Sequence, residues 1–173
     1  MTDQRRFIRV SQWDEPIACL GNPDILRKDK LALFCSRKCP GDLILKACDL
    51  ARSLRDAGTT VISGFHTPVE KECLRILLRG TQPLIICPAR SIEGMRVPAA
   101  WRKPLERGRL LILSPFGDGQ RRMTAKLAEQ RNEFVAFLAD EVLFIHAAEG
   151  SGTRELADRC KAEGEGKMVR FLY

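Results

Sequence analysis

Much that would assign this chain to a familiar class is missing from it. Its first residues, MTDQRRFIRV, are charged, and no apolar segment of the signal-peptide kind follows them. No apolar run approaches the roughly 20 residues that a membrane-spanning helix needs. These two absences predict a soluble, cytoplasmic protein with no membrane partner. There are 2 histidines and no second close cysteine pair, so Cys35 and Cys39 lack the companions a zinc site requires. No Ser-His-Asp or Cys-His set declares itself. His66 and His146 lie near predicted strand ends, where a lone histidine is more often a hydrogen-bonding residue than a base. No catalytic residue, no metal and no cofactor is therefore assigned. The 7 cysteines are odd in number and irregularly spaced, which excludes a disulfide framework. Most fall in predicted strands or on helix faces, where they act as small apolar residues. Internal repeats and low-complexity linkers are absent as well.

What is present suits one domain. The chain has 173 residues, 45% of them hydrophobic, enough to bury a real core. We read residues 1–173 as one unit with 1–30 as a lead-in segment. That segment holds a weak strand, IACLG, and a turn at Gly21-Asn22-Pro23. The formal net charge is +7, which favours polyanions without locating a site.

The apolar runs LALFC, TVIS, PLIIC, LLILS, EVLFI and MVRFL are short, evenly separated and nearly continuous, as in strands covered on both faces. Helical stripes alternate with them. Ile44, Ala47, Cys48, Ala51 and Leu54 form one; Val69, Cys73, Ile76 and Leu77 form another, with Pro68 placed for a first helical turn. Gly58 and Gly80 stand where these helices end. The stretch SIEGMRVPAAWRKPLERG reads as a surface excursion, its helix kept short by Pro98 and Pro104. The alternation predicts a Rossmann-like three-layer α/β/α fold around a mostly parallel sheet of about six or seven strands.

In such sheets ligands bind beyond the carboxyl ends of the strands. The residues there are small, hydroxylated or basic: Ser36-Arg37-Lys38 after LALFC, Gly64, His66 and Thr67 after TVIS, Arg90 after PLIIC, and Gly150-Ser151-Gly152-Thr153 after EVLFI. Three of these turns open helices, whose free N–H groups favour anions. Glycine lets a phosphate approach the backbone, and the Ser151 and Thr153 hydroxyls can donate to it. The same four residues would also serve as an ordinary capped helix start. Phe65 and Phe116 lie beside this edge, where a ring can stack on a base or pack under the loops; for Phe116 we favour packing. Arg131 stands out differently. It falls on the apolar stripe of Leu127, Phe134 and Leu138, and a buried guanidinium needs a partner. Its head must reach a carboxylate, the cleft rim or a ligand, unless its stem packs and its head snorkels. Asn132 beside it can brace a loop.

These residues resemble a family. EPIACLGNPDILRKDKLALFCSRKCPG is similar to the opening of the DNA-processing protein A (DprA, or Smf) core, with Gly21, Leu26 and Ser36-Arg37 in step and Cys35 where glycine is usual. TVISGFHT is similar to that family's VVSGLARG, and RGRLLILSPFGDG to its GLLLSEYPPG. EQRNEFVAFLADEVLFIHAAEGSGTRELADRCKAEGEGKMVRFLY resembles its last third. The order holds from Pro16 to the C-terminus and is shared with the broader superfamily that joins DprA with the LOG phosphoribohydrolases. The resemblance implies a Rossmann-like core that binds single-stranded DNA in a basic pocket, helps load a RecA-type recombinase and is usually a homodimer. Carried over by motif, Ser36, Arg37, Ser63, Gly64, Arg131, Asn132, Ser151 and Gly152 would contact DNA; Lys38, Gly150 and Thr153 join them from the edge itself.

The chain also departs from the pattern. Phe65-His66-Thr67-Pro68-Val69 replaces the family's Ala-Arg-Gly-Ile-Asp loop and removes an arginine. The helical module and winged helix that flank the family's core do not appear in this sequence. Two alternatives differ in kind. A nucleotide or nucleotide-derived ligand could be sensed without being cut, although Glu149 would repel extra phosphates. A LOG-type hydrolase of nucleoside monophosphates would need a glutamate where Leu156 stands, and Glu155 lies about 100° away around the helix.

Overall fold

A computed structural model describes residues 5–11, 13, 15–163 and 167–172. Eight strands form one sheet: β1 (Arg6–Ile8), β2 (Ile17–Gly21), β3 (Lys30–Cys35), β4 (Thr60–Ser63), β5 (Leu84–Ile86), β6 (Leu110–Ser114), β7 (Glu141–His146) and β8 (Met168–Phe171). Five α-helices join them: α1 (Gly41–Asp56), α2 (Pro68–Leu77), α3 (Ala99–Glu106), α4 (Ala125–Leu138) and α5 (Gly152–Glu163). The strand order is β1-β2-β6-β5-β4-β3-β7-β8. The six strands from β6 to β8 run parallel, while β1 and β2 pair antiparallel and β2 lies antiparallel on β6.

The six main strands fall where the apolar runs lie, and the weak strand IACLG is β2. The eighth, β1, has only three residues, RFI, too few to show a period. It takes its order from β2, with Phe7 opposite Ala18. Asn22 closes the predicted turn by accepting a hydrogen bond from the Asp24 N–H at 3.1 Å. Pro98 caps α3 and Pro104 sits in its last turn, which holds that helix to eight residues.

Alternate residues of each central strand point to opposite layers, as the pleat requires. Leu31, Leu33, Val61, Leu84, Ile86, Leu110 and Ile112 pack with α1 and α2 and the half-buried Trp101 and Leu105 of α3. Ala32, Phe34, Ile62, Ile85, Leu111, Val142 and Phe144 pack with α4 and α5 on the other side. Phe34 and Phe144 stack at 5.4 Å between ring centres, and Phe144 stacks on Phe171 at the same distance. Burying one such ring contributes roughly 1.5–3 kcal/mol. Among the described residues no helix is long and apolar enough to cross a membrane.

Strand order locates the crevice. The chain leaves β3 for β4 on one side and later returns as β7 on the other, so the direction of winding reverses at the β3/β7 pair. The connections after these two strands lead to opposite faces of the sheet, into α1 and into α5, and ligands of such sheets bind beyond the carboxyl ends at this reversal. The β3/β7 register also slips there: Phe34 faces Phe144, but Cys35 faces His146. Such a bulge re-aims the chain that follows it.

Candidate nucleic-acid interface

Two loops meet at that crevice through hydroxyl groups. The Ser36 N–H donates to the His146 carbonyl at 2.8 Å. The Ser36 hydroxyl accepts from the Ala148 N–H at 2.9 Å and lies 3.0 Å from the Ser151 Oγ. Ser151 in turn donates to the Ala148 carbonyl at 2.6 Å and accepts from the Arg154 N–H at 3.2 Å. The single Ser151 hydrogen is spent on Ala148, so Ser36 must be the donor between the two serines. Both hydroxyls are therefore committed within the protein. Ser36 fastens the β7–α5 turn, and Ser151 caps α5. Gly150 takes a φ of +68° to let the chain turn into the helix. Among the described residues no protein acceptor takes the N–H of Gly152 or Thr153. The turn thus offers an anion its backbone amides rather than the Ser151 hydroxyl.

Ser63 and Ser114 close their strands in a shared manner. Ser63 donates to the Leu33 carbonyl at 2.7 Å and accepts from the Phe65 N–H at 3.2 Å. Ser114 donates to the Arg90 carbonyl at 2.8 Å and accepts from the Phe116 N–H at 3.2 Å. Ser63 is wholly buried, so its side chain lies inside the crevice wall and not on its surface. The phenylalanines two residues on turn inward. Phe65 is 4% exposed within the α1/α2 layer, and Phe116 packs with Ala89 and Leu127. Neither ring offers a stacking face, which corrects the reading of Phe65; Phe116 packs under the loops as favoured. The turn is tight enough to hold Phe65 at a φ of +46°, a backbone conformation uncommon for a large side chain.

The Arg131 head is found inside. The residue is 3% exposed; its Nη1 donates to the Cys87 carbonyl at 3.0 Å and its Nε to the Asn132 Oδ1 at 2.8 Å. Asn132 thus braces the arginine itself. The guanidinium fills the space beside Gly64, where a β-carbon would come within 1.5 Å of Nη1. Among the described residues no acceptor takes a bond from Nη2.

Glu70 escaped sequence reading, although Thr67-Pro68-Val69-Glu70 carries the capping-box pattern. Its Oε1 accepts from the Cys35 N–H at 2.9 Å, and its Oε2 accepts from the N–H groups of His66 at 2.8 Å and Thr67 at 3.1 Å. Thr67 returns the box by accepting from the Glu70 N–H. The α2 N-terminus is therefore filled by the protein's own carboxylate. Burial pushes the Glu70 carboxyl up, against the three N–H donors and the Arg131 charge, which favour the ionised form.

Charge at the edge is unevenly shared. Arg37, Lys38 and Lys71 are exposed on the β3/β4 side, with His66 half-buried among them. Burial, then Arg131, Lys71 and Arg37, hold the His66 imidazole below its ordinary value. On the β7 side Glu149 and Glu155 are exposed, and Glu129 Oε1 lies 3.6 Å from where a Gly152 β-carbon would stand. The positive charge thus lies on the first wall and the negative charge on the second. Leu156, where a LOG-type enzyme would need its glutamate, is buried in the core. Cys35 and Cys39 gain no third partner in a metal-holding group among the described residues. Burial pushes the Cys73 and Cys87 thiols up to about 12, so both stay neutral.

A family model for DNA recombination-mediator protein A matches residues 8–169. The chain belongs to that family. DprA of Streptococcus pneumoniae superposes with a TM-score of 0.71 at 20% identity, covering 89% of this chain and 54% of its own. This DprA-family chain thus spans about half the pneumococcal protein. DprA of Helicobacter pylori, described as having a unique single-stranded DNA binding mode, gives 0.74 at 20% identity, covering 97% of this chain and 81% of its own. A molybdenum cofactor binding protein of Rippkaea orientalis gives 0.55 at 12% identity over 84% of this chain and 77% of its own, a likeness of fold. No curated protein matches the sequence.

Proposed function

We propose that this DprA-family chain binds single-stranded DNA along the carboxyl edge of its parallel sheet. The observation that carries the reading is the gathering of Arg37, Lys71 and Arg131 around His66 at the carboxyl ends of β3 and β4, beside the winding reversal. The exposed cations neutralise backbone phosphates. The free amides of Gly152 and Thr153 supply neutral donors on the opposite wall. Arg131, held by Cys87 and Asn132 against Gly64, sets the depth of the crevice and leaves Nη2 for an incoming oxygen. In this reading Ser36, Ser63, Ser151 and Gly150 shape the loops that present these groups.

The loading of a RecA-type recombinase by a homodimer, which the resemblance implies, is part of the same proposal. Fluorescence anisotropy of a labelled oligothymidylate, titrated at low and at physiological salt, tests the binding. Tight, salt-sensitive binding that a mononucleotide fails to displace supports it. Easy displacement by a mononucleotide would overturn it in favour of a nucleotide-sensing site.

A further inference from the structure

His66 sits at the mouth of the crevice with its backbone fixed and its ring uncommitted. Its N–H is held by Glu70 at 2.8 Å, and the turn at Phe65 directs the chain into the Thr67 cap. The imidazole is half-buried, and among the described residues neither ring nitrogen has a hydrogen-bond partner in the protein.

The charged groups around it come from three elements. Arg131 belongs to α4 and packs on Gly64, two residues before His66. Lys71 lies in the first turn of α2. Arg37 follows β3, whose end is tied to the His66 backbone through the two oxygens of Glu70. Glu70 is the acid of this cluster, and both of its oxygens are occupied by backbone N–H groups rather than by the ring.

Partial burial, then Arg131, Lys71 and Arg37, disfavour the charged ring in the free protein. A phosphodiester placed among the same cations reverses the sign of the local field. The ring is then better off charged, and an imidazolium can donate an N–H to the phosphate that an unprotonated nitrogen would repel.

Resting on the reading of this edge as a DNA site, we propose that His66 is a proton-coupled phosphate ligand, which takes a proton from the buffer as the strand enters between Arg37, Lys71 and Arg131. Free protein, DNA and one proton combine, so affinity rises as pH falls. The rise is confined to the window between the ring's depressed value in the free protein and its higher value in the complex. Lysine or arginine at this position would hold phosphate at any pH; histidine makes the grip conditional.

The test is the affinity for oligothymidylate, whose bases do not titrate in this range, at constant ionic strength between about pH 6 and pH 8. The parent should tighten with falling pH, by up to about tenfold per pH unit where the slope is steepest. His66→Gln should lose that slope, and His66→Arg should bind at pH 8 as tightly as the parent does at pH 6. His146→Gln should keep the slope. NMR titration of the His66 ring should give a higher midpoint in the saturated complex than in the free protein. A slope that persists in His66→Gln, or equal midpoints in the two states, would overturn the proposal while leaving the DNA site intact. A parent that binds no oligothymidylate at any pH would overturn both.

Discussion

Arg131 occupies the space that Gly64 leaves by having no side chain. A β-carbon on Gly64 would stand 1.5 Å from Nη1 and 1.9 Å from Cζ. Gly64→Ala must therefore displace the guanidinium and break its bond to the Cys87 carbonyl. A loss of about 1–3 kcal/mol is expected from overpacking, read by urea unfolding. The same change in an Arg131→Ala background should cost much less, and additive losses would show that the two residues do not compete for that space.

Arg37 and Arg131 should separate by phenotype. Arg37 is exposed, so Arg37→Ala should leave stability within about 0.5 kcal/mol. It should reduce the dependence of log affinity on log salt by about 0.7, the share of one phosphate contact on a single strand. Arg131→Ala should weaken binding and also destabilise the fold by about 3 kcal/mol, because the Cys87 carbonyl loses its donor and the buried side chain leaves a cavity beside Gly64. Affinity equal to the parent's in both variants would refute the site.

Glu70→Gln keeps the shape but not the acceptors. The carboxylate receives three backbone N–H bonds on two oxygens. An amide offers one oxygen, and its NH2 faces at least one of those donors. A cost of about 1–3 kcal/mol is expected in thermal or urea unfolding. Hydrogen exchange at Cys35 or at His66 and Thr67 should report which side of the bridge is lost.

Lys30 and Asp140 give an acid-labile contact at the other end of the sheet. The Lys30 Nζ is 2.9 Å from Asp140 Oδ2, which also accepts the Lys30 N–H at 2.8 Å. Burial pushes the Asp140 carboxyl up, but these bonds to Lys30 outweigh it and hold the group below its ordinary value. A depressed carboxyl contributes stability that is present above the unfolded value and lost as pH falls through the folded one. Asp140 is half exposed, so Asp140→Asn should cost only about 1 kcal/mol at neutral pH. The gap between parent and variant should close as the solution is made strongly acid.

The central strands were readable because both faces of each are covered, which leaves apolar runs bounded by polar turns. The three-residue β1 was not, since its place is set by pairing with β2. Arg131 was conspicuous as a charge on an apolar stripe, but the Cys87 carbonyl that receives it lies 44 residues away in sequence. Nothing local announces such a partner. Glu70 carried a local signal as the fourth residue of a capping box, yet its second role, accepting from Cys35, depends on how β3 and α2 pack. The serines at strand ends were legible as polar edge residues. Whether their hydroxyls face ligand or protein is decided by neighbouring carbonyls that only the folded sheet supplies.

The pairing of Ser36 with Ser151 bridges 115 residues. A chain leaving the ribosome exposes Ser36 and Arg37 long before β7 and the α5 turn exist to meet them. Until then β3 has an open flank, and closing so long a loop is entropically slow. The crevice is thus completed only after α1 to α4 have been made. Any truncation before β7 yields a protein that has most of its helices and no second wall, and such a fragment should expose a sticky strand edge instead of a cleft.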